Sequence, residues 1–340
     1  MIDRLKRFSA ANSWVWAAFG ALLLWAVMGI SSGRLSFESL ATNAYIASFL
    51  AIAALGQMLV VTSGRGAIDL SIPGVITLGA YVSLKIINGN DAMLIPGLAA
   101  IICLGLIIGC INGSLVIWLK VPPIIATMAV NYILITMSLM INRGFADFVV
   151  SPMLQSFTRG KFLGLPILVY GVLMLAFLIH IVLVRTSYGR SLLAMGQNYE
   201  AARLAGVKVI RVELFTYMIS SVLAAMAGLL IAARVSGAFL GMGDSYMLES
   251  VASIVIGGTL ISGGRANPAG ALAGALFLGL IVTAMQLMGF GLGAQNVAKG
   301  LLIIIVLVVS LAGHNGNIKN RSWRSKEQDV VAVSSTRGHQ

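Results

Sequence analysis

The sequence predicts an all-α polytopic membrane protein, a bundle of about ten transmembrane helices. Hydrophobic residues make up 59% of the 340-residue chain and charged residues only 10%, and the mean hydropathy is +0.96. Several continuous apolar runs reach the roughly 20 residues that a helix needs to cross the hydrocarbon core of a bilayer. Strands of a membrane β-barrel would instead alternate in hydropathy over about ten residues. The composition excludes a soluble globular chain.

Ten apolar segments follow one another along residues 14–312, which we interpret as one transmembrane domain. Glycine, proline and charged residues separate them. Because one segment is short, re-entrant arrangements remain open, and with them a count of about eight to ten spans. The segments are Trp14–Ile30, Ala44–Ser63, Pro73–Ile87, Met93–Leu119, Ile124–Asn142, Leu163–Val184, Leu214–Ala233, Ser250–Ser262, Pro268–Met288 and Gln295–Leu311.

Two local patterns carry structural predictions. In the fourth span, Gly105, Gly109 and Gly113 recur every fourth residue. All three therefore lie on one face of a helix, where a neighbouring helix can approach closely. Arg143–Phe162 shows no convincing periodicity and is predicted to be a polar loop.

The distribution of lysine and arginine predicts the orientation in the membrane. Ten spans place both termini on the same side, and most of the 23 Lys and Arg residues then lie there. The positive-inside rule makes this side cytoplasmic. Residues 1–13 are predicted to be a cytoplasmic N-terminus, and residues 313–340 a basic, disordered cytoplasmic tail. This location explains the net charge of +12, so nucleic acid is not predicted as a partner.

The polar segment Arg185–Glu213, here called the docking stretch, separates the sixth and seventh spans. Its part Ser191–Leu204 is rich in helix-favouring Ala, Leu and Met and contains no proline. Gly206 follows, where a glycine commonly ends a helix. We interpret residues 189–207 as a cytoplasmic helix on which another protein docks; a solvated connector is the alternative. The small residues expected at its surface are Ala201, Ala202, Ala205 and Gly206.

Two glycine-containing breaks interrupt the apolar runs, the first at Gly64–Gly74 and the second at Gly263–Gly270. Each combines a Gly-Arg pair with a proline that opens the next helix. This similarity is consistent with a parallel internal repeat, although it also arises by chance in a glycine-rich chain. Asp69 is expected to pair with Arg65 or to cap the third span. The residues assigned to these structural breaks are Asp69, Pro73, Gly263, Gly264 and Pro268.

No catalytic or metal site is predicted. His180, His314 and His339 are scattered without cysteine or carboxylate partners, and Cys103 and Cys110 are interpreted as reduced thiols of a helix core. The sequence contains no G-x-x-x-x-G-K-[ST] motif for ATP phosphates. Acidic residues occur near span ends rather than at mid-span, which argues against a proton- or sodium-driven carrier.

Uncharged polar residues within the spans suit the passage of a neutral, hydroxyl-rich solute, because amides and hydroxyls both donate and accept hydrogen bonds. The same residues can equally hold helices together. The pathway candidates are Gln57, Asn131, Ser253 and Gln286.

Four patches carry a resemblance to a known family: Ile68–Ser71, Gly189–Val207, Ile256–Leu276 and Lys299–Ile305. The second patch, GRSLLAMGQNYEAARLAGV, is similar to G-R-x-x-x-A-x-G-x-N-x-x-A-A-x-x-x-G-[IV]. With these patches the chain resembles the ribose-type permease subunits of bacterial ABC importers, in the branched-chain amino acid/sugar permease superfamily. The resemblance covers most of Ala44–Leu311. The chain departs from the family pattern at Pro73 and Ala266.

The resemblance implies a subunit of the bacterial cytoplasmic (inner) membrane that moves a monosaccharide or sugar-like solute inward. ATP and magnesium would bind a separate cytoplasmic ATPase subunit, so this chain would hold no cofactor and would not be an enzyme. A periplasmic solute-binding protein would deliver the solute. A second permease subunit, identical or different, would complete the pathway. A nucleoside, an autoinducer-like furanose or a branched-chain amino acid as cargo, or a secondary carrier, remain alternatives.

In that family the cytoplasmic helix fits a cleft on the ATPase subunit. The resemblance carries this role onto Gly196, Asn198, Ala201, Ala202 and Gly206. The full set that we assign to the ATPase-coupling helix is Gly189, Arg190, Gly196, Asn198, Glu200, Ala201, Ala202, Arg203 and Gly206.

Overall fold

The computed structural model describes residues 14–31, 33, 35–143, 149–302, 304, 305 and 308. The chain divides into two compact units, Met1–Gln295 and Asn296–Gln340. The predicted N-terminus (1–13) and the predicted tail (313–340) lie outside the described residues. The second unit is helical at residues 296–302, within the last predicted span.

Helices make up nearly all of the regular structure in the described part of the first unit. A hairpin pairs β1 (Lys161–Phe162) with β2 (Leu165–Pro166) in antiparallel fashion. The helices are α1 (Trp14–Ser31), α2 (Phe37–Thr62), α3 (Ile72–Ile87), α4 (Leu94–Ile117), α5 (Pro123–Asn142), α6 (Pro152–Arg159), α7 (Ile167–Arg185), α8 (Ser187–Gln197), α9 (Tyr199–Leu204), α10 (Val209–Val235), α11 (Tyr246–Ile256) and α12 (Pro268–Leu287).

Among the described residues, six helices are long and apolar enough to cross a membrane. They are α2, α4 with the 3₁₀ turn before it (Asp91–Ile117), α5, α7, α10 and α12. Three shorter apolar helices, α1, α3 and α11, overlap other predicted spans. Pro73 and Pro268 lie in the first turns of α3 and α12, as predicted. The predicted all-α membrane bundle is therefore confirmed, whereas the count of ten spans stays a prediction.

Several helix ends differ from the predicted span ends, and α11 both begins and ends earlier than the predicted span Ser250–Ser262. α2 begins earlier than predicted, because Ser36 caps it by accepting a hydrogen bond from Ser39 N–H at 3.1 Å. α10 also begins earlier, so its first turn belongs to the docking stretch. α7 begins later, because the β-hairpin occupies the start of the predicted span.

The predicted loop between the fifth and sixth spans contains a helix, α6. Ser151 caps this helix by accepting a backbone hydrogen bond at 3.2 Å, and Pro152 occupies its first position. Arg159 donates to the Arg234 carbonyl at 2.9 Å and to the Ser236 hydroxyl at 2.8 Å, which joins α6 to the end of α10. An eight-residue helix is too short for a clear hydrophobic period, but its Ser-Pro start is a recognisable helix signal.

The centre of the bundle is formed by α2, α3 and α10. In the most apolar part of α2, 83% of the residues are buried, against 28% in α4. α10 packs against α2, α3 and α4. These three helices therefore form the packed core of the described part of the first unit.

α4 has an inner glycine face and an outer apolar face. Cβ atoms added at Gly105 and Gly109 would collide with the backbone of α10 at Val222 and Met218. The predicted close approach of a neighbouring helix is confirmed. Both cysteines of α4 are free, but Cys103 is exposed, so its predicted position in the core is wrong.

Candidate coupling site

The docking stretch forms two short helices, α8 and α9, rather than the single helix predicted over Ser191–Leu204. Thr186 caps α8 by accepting a hydrogen bond from Gly189 N–H at 3.1 Å. Asn198 ends α8 in an extended conformation (φ −157°, ψ 105°). Its side chain caps α9 by accepting from Ala201 N–H at 3.0 Å. An asparagine in this role redirects the chain, which the high helix propensity around it does not reveal.

Gly206 ends α9, as predicted. It lies in the left-handed region at φ +84°, where a glycine is not strained. Val207 N–H donates to the Ala202 carbonyl at 3.1 Å, the longer bond of a Schellman motif. This tight end sends the chain directly into α10.

α9 presents small and apolar groups outward. Leu204 is 83% exposed and is followed by the exposed small residues Ala205 and Gly206. Ala202 is buried, so it does not contribute to the predicted small-residue surface. Glu200 and Arg203 pair at 2.8 Å with both side chains more than half exposed, so solvent screens their attraction. The exposed members of the predicted coupling set are Arg190, Asn198, Glu200, Ala201, Arg203 and Gly206.

Gly189 and Gly196 of the coupling set face the bundle instead. A Cβ at Gly189 would collide with the backbone of Leu183 near the end of α7. A Cβ at Gly196 would collide with the Thr62 carbonyl oxygen and the Gly264 amide nitrogen. Both glycines therefore let α8 lie directly on the backbone of the bundle.

Tyr188 anchors α8 to α10, a role that sequence reasoning missed. Its hydroxyl lies 2.9 Å from Thr216 Oγ1. Because Thr216 donates its own proton to the Val212 carbonyl at 2.7 Å, Tyr188 is the donor to Thr216. Burial raises the pKa of Tyr188 to about 12, so this donor keeps its proton at physiological pH.

Gly196 covers the place where the two breaks meet, here called the glycine junction (Thr62, Gly64, Gly196, Gly263 and Gly264). Gly264 N–H donates to the Thr62 carbonyl at 2.9 Å, which joins the second break to the end of α2. A Cβ at Gly263 would lie 2.7 Å from Gly64 N. Gly64, Gly263 and Gly264 all have positive φ, between +76° and +89°, which favours glycine. The two segments that look alike in sequence are thus in direct contact.

The first break carries a fully buried carboxylate. Asp69 Oδ1 accepts from Ser71 N–H at 2.9 Å and from the Ser71 hydroxyl at 2.6 Å. Its Oδ2 accepts from the Ser220 hydroxyl of α10 at 3.0 Å. Asn112 of α4 donates to Ser71 Oγ at 2.7 Å. The Gln57 amide faces the Asp69 backbone, accepting from its N–H and donating to its carbonyl, both at 3.2 Å.

Arg65 turns away from Asp69 and contacts the docking stretch. Its guanidinium carbon lies 4.4 Å from the centroid of the Tyr199 ring of α9, within cation–π distance. The described residues contain no ion pair between Arg65 and Asp69, so that prediction is wrong. Asp69 does not cap α3 either, since the N-cap residue is Ser71, whose side chain makes no capping hydrogen bond. The Asp69 carboxylate instead binds Ser71 N–H in the turn that precedes the helix.

Side chains of α5 bind the backbone of the first break. Leu70 N–H donates to Thr127 Oγ1 at 2.9 Å, and Gly74 N–H donates to Asn131 Oδ1 at 2.7 Å. Non-helical backbone is tolerated inside a membrane protein only where such partners replace water. The first break is thereby fixed to α5 as well as to α2, α4 and α10.

The second break and the helices beside it, α11 and α12, are held by close backbone contacts. A Cβ at Gly257 would collide with Gly270, and a Cβ at Gly274 would collide with the Ser253 carbonyl oxygen. Asn267 adds hydrogen bonds: its Oδ1 accepts from Gly270 N–H at 3.0 Å, and its Nδ2 donates to the Gly257 carbonyl at 3.3 Å. Close contact between backbones that carry no side chains therefore contributes more to this region than hydrogen bonds from polar side chains do.

Comparison with known proteins identifies the family. Residues 39–311 match the family model described as "Branched-chain amino acid transport system / permease component". The chain belongs to this permease family. The permease is 33% identical over 261 residues to the ribose import permease protein RbsC of Bacillus subtilis. The aligned region covers 75% of this chain and 79% of that relative.

Two further relatives of the permease come from Escherichia coli. It is 32% identical over 270 residues to the ribose import permease protein RbsC, covering 76% of this chain and 81% of the relative. It is 28% identical over 299 residues to the L-arabinose transport system permease protein AraH, covering 86% and 90%. No solved structure matches.

The four predicted pathway residues of the permease lie in different surroundings. Gln57 and Asn131 are buried and bind the backbone of the first break. Ser253 is buried and donates to the Ser250 carbonyl at 3.0 Å. Gln286 is exposed near the end of α12. The hydrogen bonds give the first three residues a structural role, and contact with a solute stays a prediction for all four.

A cavity of about 440 Å³ separates part of the docking stretch from the first break and the α4–α5 turn. Its charged lining residues are Arg65, Lys120, Glu200, Arg203 and Glu213. α9 is therefore not packed solidly against the bundle on this side. The space leaves room for α9 to move relative to α4 and α5, which a close-packed interior would not.

Proposed function

We propose that the permease is the transmembrane subunit of an ATP-binding-cassette importer that moves a monosaccharide or sugar-like solute into the cell. The observation that carries the proposal is the two-sided docking stretch. Its outer surface is exposed and rich in small residues, while its inner surface lies on the junction of both breaks. The names of the relatives support a sugar as cargo, since they are ribose import and L-arabinose transport permeases.

The proposal includes ten spans, with both termini and the docking stretch in the cytoplasm. The glycine junction gathers Arg65 and the cations of the docking stretch at one end of the bundle. α10 has 27 residues and is therefore about 40 Å long. Arg234 lies in its last turn, and Arg159 donates to the Arg234 carbonyl. Both arginines therefore lie at the opposite end of the bundle. The end with more cations is the cytoplasmic one by the positive-inside rule.

In this proposal a separate cytoplasmic ATPase binds ATP and magnesium, and the permease supplies no ATPase site. The support is membership of a transport-permease family and a sequence without a P-loop motif. A periplasmic solute-binding protein would deliver the solute, and a second permease subunit would complete the pathway.

Movement of the docking stretch would reach the bundle through two connections. At Gly196 the backbone of α8 touches Thr62 and Gly264 without an intervening side chain, so α8 has no soft contact to absorb displacement. At Tyr199 the stacked Arg65 links α9 to the first break. Closure of the ATPase subunits would thus shift both breaks together and switch the pathway between outward and inward states.

Replacing Ala201 by tryptophan tests the docking role. Ala201 is exposed on α9, so the larger side chain is expected to leave the fold intact and to block an approaching partner. ATP-driven uptake of labelled ribose into vesicles that hold the permease, its ATPase and its binding protein should fall by at least about tenfold, equivalent to roughly 1.4 kcal/mol of coupling. Co-purification of the ATPase with the tagged permease should fall in parallel.

Ala92→Trp is the matched control. Ala92 is also exposed, but it lies at the opposite end of the bundle, in a 3₁₀ turn that joins α6 through the bond from Met153 N–H to Asp91 at 3.0 Å. This variant should retain the ATPase. Full uptake by Ala201→Trp, or ribose uptake that persists without any ATPase, would contradict the proposal.

A branched-chain amino acid is the second candidate cargo, because the matching family model is described by that substrate class. Competition in the same vesicles separates the two. Excess unlabelled arabinose should reduce ribose uptake, and excess leucine should not. Leucine uptake in place of ribose uptake would transfer the proposal to the second cargo.

A further inference from the structure

The outward face of α5 carries two polar residues near the middle of a helix that is long enough to span a membrane. Ala129, Tyr132 and Thr136 are all exposed and spaced three and four residues apart, so they share one side of the helix. Thr127 and Asn131 on the inner side hold the first break. α5 therefore has one side bound to the structural core and one exposed side, on which Tyr132 and Thr136 are polar among the apolar residues Ile125 and Met140.

Tyr132 is the most unusual residue of this face. All eight tyrosines of the sequence lie in the described residues, and Tyr132 alone is exposed, at 62%. Its hydroxyl has no hydrogen-bond partner among the described residues. It is the tenth of the 20 residues of α5, which places it about 15 Å from either end and near the middle of the bilayer.

The exposed faces of α4 and α7 show what a lipid-facing surface looks like in this protein. At similar depth α4 exposes Leu106 and Ile107, and α7 exposes Met174 and Phe177; α5 also exposes Ile133 and Met137, so Tyr132 is the polar exception at this depth. An unpartnered hydroxyl in hydrocarbon is strongly unfavourable, whereas such apolar side chains are at home there. Tyr132 at mid-bilayer depth therefore requires water or another polar group against it.

We propose that Tyr132 and Thr136 line the solute pathway and contact the sugar directly; this rests on the proposed function. A tyrosine offers an apolar ring face to the C–H groups of a sugar and a hydroxyl that both donates and accepts. Thr136 donates its proton to the Tyr132 carbonyl at 2.9 Å, which leaves its oxygen free to accept from a sugar hydroxyl. Neither residue is charged, so the solute is not trapped.

The inner side of α5 connects this pathway face to the coupling site. Asn131 precedes Tyr132 and binds Gly74 at 2.7 Å, and Thr127 binds Leu70 at 2.9 Å. A displacement of the first break would therefore carry α5 with it and change the exposure of Tyr132. The inner side of α5 thus binds the first break, and its outer side lines the pathway.

Cysteine accessibility tests the proposal in membrane vesicles that hold the full chain with its ATPase. The background carries Cys103→Ser and Cys110→Ser, and the test variants are Tyr132→Cys and Thr136→Cys. Phe177→Cys is the control, because Phe177 has the same exposed fraction, 62%, on α7. A membrane-impermeant methanethiosulfonate reagent reacts with thiolates, which form in water, so both test cysteines should react at least about tenfold faster than the control. Ribose should slow both reactions.

Two outcomes would overturn the proposal. One is labelling of both test cysteines as slow as that of Phe177→Cys in vesicles that still take up ribose. The other is an oxidative cross-link between two copies at Tyr132→Cys with no labelling, which would make this face a contact between subunits. Labelling itself requires neither ATP nor a solute. Rapid labelling in vesicles whose ribose uptake does not depend on ATP would therefore refute the importer function and leave the assignment of the pathway face standing.

Tyr132→Phe provides a second measurement that does not depend on cysteine variants. It removes only the hydroxyl, so the amount of folded permease should match the wild type. The apparent KM for ribose should rise several-fold while the maximal rate changes less. An unchanged KM would show that the hydroxyl does not contact the solute.

Discussion

The two breaks meet at the same junction but are held in opposite ways. In the first break, Asp69, the Ser71 hydroxyl and the backbone around them bind side chains from α2, α4, α5 and α10. Around the second break, Gly257, Gly270 and Gly274 let backbones touch, with Asn267 as the main polar side chain. The first region is fixed by directional bonds and the second by shape, because glycine leaves no side chain between the backbones.

This difference assigns the breaks different roles in movement. Hydrogen bonds from four helices fix the first break relative to its neighbours, so it is expected to move as one body with them. Around the second break the hydrogen bonds that Asn267 makes are fewer than those of the first break, so α11 and α12 are expected to adjust relative to each other while the first break keeps its bonds. Adding a methyl group should therefore damage the second region most, and removing a polar group should damage the first.

Gly274→Ala is expected to have the largest effect. The new Cβ would collide with the Ser253 carbonyl oxygen, a backbone atom that cannot rotate away. Overpacking of this kind should cost about 3 kcal/mol, seen as a lower midpoint of thermal unfolding in detergent. Gly279→Ala on the same helix is the control, since its Cβ would lie 3.7 Å from Ala47 in an ordinary contact. Equal midpoints for the two variants would show that shape does not hold this region.

Asp69→Ala should be the next most damaging change. It leaves Ser71 N–H and the Ser220 hydroxyl without their buried acceptor, at a cost of about 2 to 3 kcal/mol. Asp69→Asn keeps one oxygen for Ser71 and offers an amide that the Ser220 oxygen can accept from, so it should cost about 1 kcal/mol. Thermal unfolding of both variants separates the loss of hydrogen bonds from the loss of charge. Asn as destabilising as Ala would mean that the charge dominates.

Thr127→Val tests the link between the first break and α5. The swap keeps the shape but leaves Leu70 N–H without an acceptor, so stability should fall by about 1 to 2 kcal/mol. Thr136→Val on the same helix is the stability control, because Thr136 is exposed and bonds only to its own helix. If both variants unfold at the same temperature, the backbone of the first break does not depend on α5.

Local patterns predicted the helices and the close approaches well. The fourfold spacing of Gly105, Gly109 and Gly113 defines one side of a helix whatever the rest of the chain does, and that side packs on α10. The end of α9 at Gly206 depends only on its own backbone conformation. The Gly-Arg similarity predicted a repeat, which stays a prediction; the contact between the two segments was not predicted.

Contacts between residues that are far apart in the chain could not be predicted from the sequence. Ser220 lies 151 residues from Asp69, and no periodicity relates a hydroxyl of α10 to a carboxylate of the first break. Arg65 was paired with the wrong partner, because proximity in sequence favoured Asp69 whereas the fold brings Tyr199 beside it. The sequence did not predict the exposure of Tyr132 either. Which side of an apolar helix is exposed depends on the helices that pack against its opposite side, and these are set by the fold.

Asn267→Ala is expected to have the smallest effect and sharpens the comparison most directly. Asn267 is the polar counterpart of Asp69 in the second region, where it caps α12 through Gly270 N–H. Losing a cap costs about 1 kcal/mol, less than loss of the buried carboxylate, and Asn267→Ser should restore most of it by capping in the same way. A loss as large as that of Asp69→Ala in thermal unfolding would mean that both breaks are held by polar groups. A small loss of stability for Asn267→Ala, together with a large loss for Gly274→Ala, would show that close backbone contact stabilises the second break.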